Sequence, residues 1–153
     1  MIFWNLYSTN DTPNSQAPDV IKVGSLYHLY YTVSIFGKQT SSIGLATSPS
    51  MDPGTWTDLG ATGISSDGTK NYNAIDANVI KSGSSYYMNF GSFWDGIFQV
   101  KLDSAAKKSG GAASYNIEYN STGSRPSEGS YMFYNSPYYY LLWSSGICCG
   151  FDQ

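Results

Sequence analysis

Short apolar runs, each cut off by glycine, serine or asparagine after a few residues, give this chain the pattern of strands joined by tight turns. Val20 to Val23, Leu26 to Val33 and Ile43 to Thr47 read as strands, separated by Gly24-Ser25 and by the polar stretch from Phe36 to Ser42, with Trp56 to Leu59 a short fourth. Met51-Asp-Pro-Gly54 reads as a turn, and the Gly/Ser/Asp-rich residues from Gly60 to Asn73 as a connection. A second group of strands is expected at Ala74 to Lys81, Tyr86 to Gly91 and Gly96 to Leu102, then a loop from Lys107 to Ala113 and an edge strand near Tyr115 to Tyr119. A third group begins at Glu128 and runs through Tyr131 to Tyr134 and Tyr138 to Ser144.

The groups are copies of one unit. Asp19-Val-Ile-Lys-Val-Gly-Ser-Leu-Tyr-His-Leu-Tyr-Tyr31 returns as Asn78-Val-Ile-Lys-Ser-Gly-Ser-Ser-Tyr-Tyr-Met-Asn-Phe90, and more weakly as Ser130-Tyr-Met-Phe-Tyr-Asn-Ser-Pro-Tyr-Tyr-Tyr-Leu-Leu142 when Tyr138 is set against Tyr86. In that register Asp76 and Glu128 are equivalent, and the first copy has Ala17 at their level. Repeats of roughly 40–50 residues with about four short strands each are the signature of a β-propeller. The expected fold is therefore all-β: a partial propeller of about two and a half four-stranded antiparallel blades over residues 17–153, preceded by an extension over residues 1–16. An open three-layered sandwich is the plainer alternative. Propellers close from about four to eight blades, so two copies meeting as a homodimer would complete five, and the apolar Ile2 to Tyr7 could supply a closing strand.

Composition narrows the partners. The 153 residues carry 8 Lys+Arg against 11 Asp+Glu, a net charge of −3 that gives no reason to expect nucleic acid or an anionic membrane. Aromatic residues reach 16% while charged ones are 12%, which favours strands and aromatic surfaces over helices. Cys148 and Cys149 are adjacent and so cannot build a disulfide framework; two buried thiols are expected, with a vicinal disulfide as the minority reading. The first residues lack a basic, then apolar, leader, and no stretch is long enough to span a bilayer. Asn120-Ser-Thr122 is an intact glycosylation acceptor and Asn10-Asp-Thr12 another, weakened by Pro13, which fits a protein secreted in its natural setting.

Several blocks, in order, carry a resemblance: Ala17-Pro-Asp-Val20, Ile43-Gly-Leu-Ala-Thr-Ser48, Asn73-Ala-Ile-Asp-Ala-Asn-Val79, Phe90-Gly-Ser-Phe-Trp-Asp-Gly-Ile97, Ser124-Arg-Pro-Ser-Glu-Gly-Ser130, Tyr138-Tyr-Tyr-Leu141 and Ser144-Ser-Gly-Ile-Cys-Cys149. Together they resemble the endo-1,5-α-L-arabinanases of glycoside hydrolase family 43, over about residues 17 to 149. The resemblance implies a five-bladed propeller, of which this chain would lack the first and last blades, and inverting hydrolysis of α-1,5-L-arabinofuranosyl chains. An inverting carboxyl pair stands roughly 6.5–9.5 Å apart to admit a water. By resemblance Glu128 is the general acid and Asp76 the residue that orients it and raises its pKa; Asp19, Asn73, Ile75, Phe93, Trp94 and Ser145 are substrate-binding candidates.

The family's general base lies upstream of Ala-Pro-Asp-Val, where nothing in the first sixteen residues matches its motif and Asp11 is the one carboxylate. Weak or absent catalysis is therefore expected, and a noncatalytic, lectin-like glycan-binding protein on the same scaffold is the alternative. No cofactor is expected; the family allows a central ion such as calcium, with no ligands identifiable here, and His28, mid-strand beside Tyr27 and Tyr30, does not match the family's histidine. Lone acids usually serve turns and caps, and most aromatics in such a chain are core, but the shared phase of Asp76 and Glu128 favours a site. Burial and the neighbouring carboxylate are expected to raise Glu128. Trp94, in a Gly/Asp turn, is the expected stacking platform for a sugar face.

Overall fold

The computed structural model describes residues 14–124 and 126–146. Over them the chain is all strand and turn. The first sheet contains β1 (Asn14–Val23), β2 (Leu26–Ser34), β3 (Ser41–Ser48) and β4 (Thr57–Ser66) in the order β1-β2-β3-β4, and the second contains β5 (Asn78–Ser82), β6 (Ser85–Phe90), β7 (Ile97–Lys101) and β8 (Tyr115–Glu118) in the order β5-β6-β7-β8. A third pair, β9 (Ser127–Asn135) with β10 (Tyr138–Ser145), follows. Every ladder is antiparallel. The leading strands β1, β5 and β9 lie side by side at the centre. This is the partial propeller that the repeats imply, with two full blades and two strands of a third among the described residues.

The core lies between the first two sheets. Tyr30, Ile43, Leu45 and Ile64 of the first meet Val79, Met88, Phe90, Phe98 and Val100 of the second, all buried. Tyr72, on the connection between the sheets, sets its ring edge-on to Phe90 at 5.1 Å and tilted against Phe98 at 5.0 Å. Strand alternation sends these residues to one face, so the two sheets can share one apolar layer. His28 is buried mid-strand in β2 with Nδ1 3.4 Å from the Ala106 carbonyl, and burial pushes its pKa down. The third sheet differs: Tyr131, Phe133, Tyr138, Tyr140 and Leu142, on the face turned away from the second sheet, are exposed.

Three element boundaries depart from the sequence reading. β4 runs on through Ser66, where a connection was expected from Gly60, because its inward residues are polar: Thr62 and Ser66 are buried and each is satisfied, Thr62 Oγ1 donating to the Ile43 carbonyl at 2.8 Å and Ser66 Oγ to the Gln39 carbonyl at 2.5 Å. A period-two pattern written in Thr, Ile and Ser does not read as hydrophobic alternation. β5 begins at Asn78 instead of Ala74: Ala74 N–H bonds the Ser66 hydroxyl, Ile75 N–H bonds the Asn73 carbonyl, and Asp76 has φ +57, so residues 74–77 form a turn. The first sheet also begins at Asn14, ahead of the expected boundary at residue 17. Ile2 to Tyr7, Asn10, Asp11 and the cysteines Cys148 and Cys149 lie outside the described residues.

A fourth departure concerns the repeat itself. Each leading hairpin closes on one pair: Val23 with Leu26, Ser82 with Ser85, Asn135 with Tyr138. Tyr138 therefore corresponds to Ser85, and it is Tyr139 that corresponds to Tyr86. Three consecutive tyrosines fit the pattern in either phase, and only the turn decides between them. Counting back from the hairpins, Ala17, Asp76 and Gly129 are equivalent, as are Gln16, Ile75 and Glu128. The backbone agrees, since Ala17, Asp76 and Gly129 have φ +48, +57 and +61. In β1 and β9 the same level is a bulge, with the ladder shifting between Gln16 and Asp19 and between Leu142 and Ser144. Asp76 and Glu128 are thus not equivalent; each is one residue out of phase with the other.

Candidate active site

The two carboxyls still converge, by a route other than repeat symmetry. A cleft of about 460 Å3 is lined by Ala17, Pro18, Asp19, Asp76, Ala77 and Asn78 on one side and by Glu128, Gly129, Ser130, Tyr131 and Ser144 on the other. Gly129 N–H donates to Asp76 Oδ2 at 3.0 Å, so the bend of the third sheet is tied to the carboxyl on the bend of the second, and Glu128 is next in the chain. Gly129 has φ +61, a left-handed conformation that glycine adopts without penalty. Glu128 Oε2 accepts from Ser92 Oγ at 2.9 Å.

The loop after β6 sets the distance between the two. Gly91 N–H bonds the Ile75 carbonyl at 2.9 Å, one residue before Asp76, and Phe93 N–H bonds the Ser127 carbonyl at 2.9 Å, one residue before Glu128. The same three-residue segment thus clamps both approaches and, through Ser92, one of the carboxyls. Gly91 has φ +136, and a Cβ there would stand 2.1 Å from the Gly96 carbonyl oxygen, so only glycine fits.

Burial raises the Asp76 carboxyl to about 6; the Gly129 N–H bond opposes the shift and the charge of Glu128 adds to it. Asp19 is the third carboxyl of the cleft, and burial raises it too, against hydrogen bonds from Val79, Asn78 and Val20. Its Oδ2 accepts Val79 N–H at 2.7 Å. At the next junction Asn78, the equivalent of Asp19, accepts Met132 N–H on Oδ1 at 2.8 Å. Behind it a buried polar ladder crosses the second sheet: Asn89 Nδ2 to Asn78 at 3.2 Å, Gln99 Nε2 to Asn89 at 2.8 Å, and the Tyr115 hydroxyl to Gln99 Oε1.

The remaining sequence candidates are dispersed. Asn73 is buried, with Oδ1 accepting the Ser41 hydroxyl at 2.7 Å and the Ser66 hydroxyl at 3.3 Å, so its side chain holds the first sheet to the turn before Asp76. Ile75 is half-buried in that turn. Phe93 and Trp94 are half-buried on the loop after β6, both left-handed at φ +54 and +44. Ser145 lines a neighbouring cleft with Glu118, Asn120 and Trp143. Ser92 and Gly129 escaped the sequence reading; the Glu-Gly pair was visible, but a serine after a glycine gave no sign of where its hydroxyl would reach. Among the described residues no group of three or more His, Cys, Asp or Glu is placed to hold a metal.

Comparison with known proteins agrees with this fold. The model of the glycosyl hydrolases family 43 matches residues 4–152. Over 137 residues the chain is 58% identical to a probable arabinan endo-1,5-α-L-arabinosidase A of Aspergillus terreus, covering 90% of this chain and 40% of that protein. It is 54% identical to the arabinan endo-1,5-α-L-arabinosidase A of Aspergillus aculeatus, covering 89% of this chain and 42% of the relative. The chain therefore spans less than half the length of these curated relatives. Among solved structures, the endo-arabinanase of Bacillus licheniformis superposes with a TM-score of 0.84 at 35% identity, covering 97% of this chain and 51% of that one. The native arabinanase of Bacillus subtilis gives 0.82 at 39% identity, covering 89% and 46%.

Proposed function

The chain belongs to family 43 of the glycosyl hydrolases, and from that premise we propose that it supplies the acid side of an arabinan-directed site, cleaving α-1,5-linked arabinofuranosyl chains with inversion. The observation that carries this reading is the meeting of Asp76 and Glu128 on one open cleft, joined through the Gly129 N–H and the loop after β6. In the proposed reaction Glu128 gives its proton to the glycosidic oxygen as the C–O bond breaks, and Asp76 holds the Gly129 backbone beside it and so helps to orient it. Ser92, through Glu128 Oε2, fixes the rotamer from which the proton leaves. Trp94, on the loop that spaces the pair, is the ring proposed to meet the sugar face.

Inversion also requires a base across the cleft. Asp19 is poorly suited, because the Val79 N–H occupies Oδ2 and burial favours its neutral form. On this reading the chain alone turns over slowly. Reducing-sugar release from debranched arabinan tests the proposal: Glu128→Gln should lower a measurable wild-type rate by roughly 100-fold or more, the usual range for a general acid. A rate unchanged by the substitution would remove the acid role. Calorimetrically detected binding of arabino-oligosaccharides with no sugar released by the wild type would favour a glycan-binding protein instead.

A further inference from the structure

The loop between β8 and β9 carries Asn120-Ser-Thr122, one of two Asn-x-Ser/Thr triplets in the chain and the one that falls in the described residues. Residues 119–121 form no ladder, and Ser121 and Thr122 are exposed. The triplet is folded on itself: Thr122 N–H donates to Asn120 Oδ1 at 3.0 Å, and the Thr122 hydroxyl donates to the same oxygen at 2.6 Å. Two donors on Oδ1 fix the side chain against the threonine. Asn120 also stands on the rim of the neighbouring cleft, about 560 Å3, beside Trp143 and Leu142, so a sugar joined here has room and an exposed aromatic face to lie on.

We propose that Asn120 is an N-glycosylation site, taking an oligosaccharide from a lipid-diphosphate-linked donor when the chain passes through a secretory compartment. The Asn120 Nδ2–C1 bond forms as the C1–O bond to the lipid diphosphate breaks; the amide proton goes to a base of the transferase and the diphosphate leaves with the lipid. Asn120 lines a cleft other than the one that holds Asp76 and Glu128.

Secretion of the chain from yeast behind a cleavable leader, in an Asn10→Gln background that silences the other triplet, tests this by peptide mass spectrometry. The peptide containing residue 120 should carry an oligosaccharide that peptide-N-glycosidase removes, leaving aspartate at 120. Asn120→Gln and Thr122→Ala should each abolish it, and Thr122→Ser should retain it. An unmodified Asn120 in the secreted protein, or modification that survives Thr122→Ala, would overturn the assignment.

Discussion

At the junction of the first and second sheets the central bend carries the methyl group of Ala17, and Asp19, two residues on, takes the Val79 N–H; at the junction of the second and third the bend carries the carboxyl of Asp76, and Asn78 takes the Met132 N–H. The backbone device is the same at both. Each time a left-handed residue is followed by a polar side chain that satisfies a backbone donor of the next sheet, which would otherwise be left unpaired between the layers. What differs is the side chain on the bend and the one before the facing bend. Only the second junction sets a carboxyl opposite an N–H with a glutamate beside it. Repetition supplies the framework here, and the chemistry comes from breaking the repetition at one place.

The severest way to break the second junction alone is Gly91→Ala. Its Cβ would fall 2.1 Å from a carbonyl oxygen, in a conformation that only glycine tolerates, and the loop that ties Ile75 to Ser127 would have to move. A loss of about 3 kcal/mol or more in chemical denaturation is expected, the size that strain at a special backbone angle produces. A loss under about 1 kcal/mol would mean that the clamp is not rigid.

Asp76→Asn comes next and has two opposite effects. The folded carboxyl sits at about 6 against 3.8 in the unfolded chain, so its contribution to stability is fully present below about pH 4 and is lost as pH rises through about 6. A shift of that size corresponds to about 2–3 kcal/mol. The asparagine variant should flatten the pH dependence of unfolding between pH 4 and 6 and be the more stable protein at pH 7, while the proposed arabinan hydrolysis falls. Thermal melts across that range check the first part, and a variant that melts like wild type at every pH would contradict the assigned burial.

Asp19→Asn sharpens the comparison with the smallest effect. Asp19 is raised in the same direction, so stability is again lost as pH rises through its folded value, but three hydrogen bonds offset its burial. The flattening should be weaker than for Asp76→Asn and the loss of hydrolysis smaller. An equal or larger loss would assign the first junction a share in the chemistry.

Much of this was legible in the sequence. The turn at Gly24-Ser25 and the strands it joins needed only turn chemistry, and the nomination of Asp76 and Glu128 rested on resemblance and on a repeat phase that the hairpins overturn. The phase of the third sheet was not legible, because Tyr138, Tyr139 and Tyr140 present the same side chain in successive registers. Nor was the reach of β4, whose buried members are a threonine and a serine satisfied by distant carbonyls. Asn73 adds what a motif does not show: it stands in a block that matches the family, and its side-chain Oδ1 accepts from two serines of the scaffold. Local pattern finds strands and short motifs; which polar groups are spent on holding sheets together is decided by contacts some thirty to sixty residues apart.

On the outward face of β9 and β10 the Phe133 and Tyr140 rings stack at 5.4 Å and Tyr138 meets Tyr140 edge-on at 6.5 Å. That cluster is a label the molecule already wears. Phenol rings moved from water into a protein environment change their near-ultraviolet absorption and dichroism, so the arrival of any other surface on this face can be followed optically in the unmodified chain, with no dye attached.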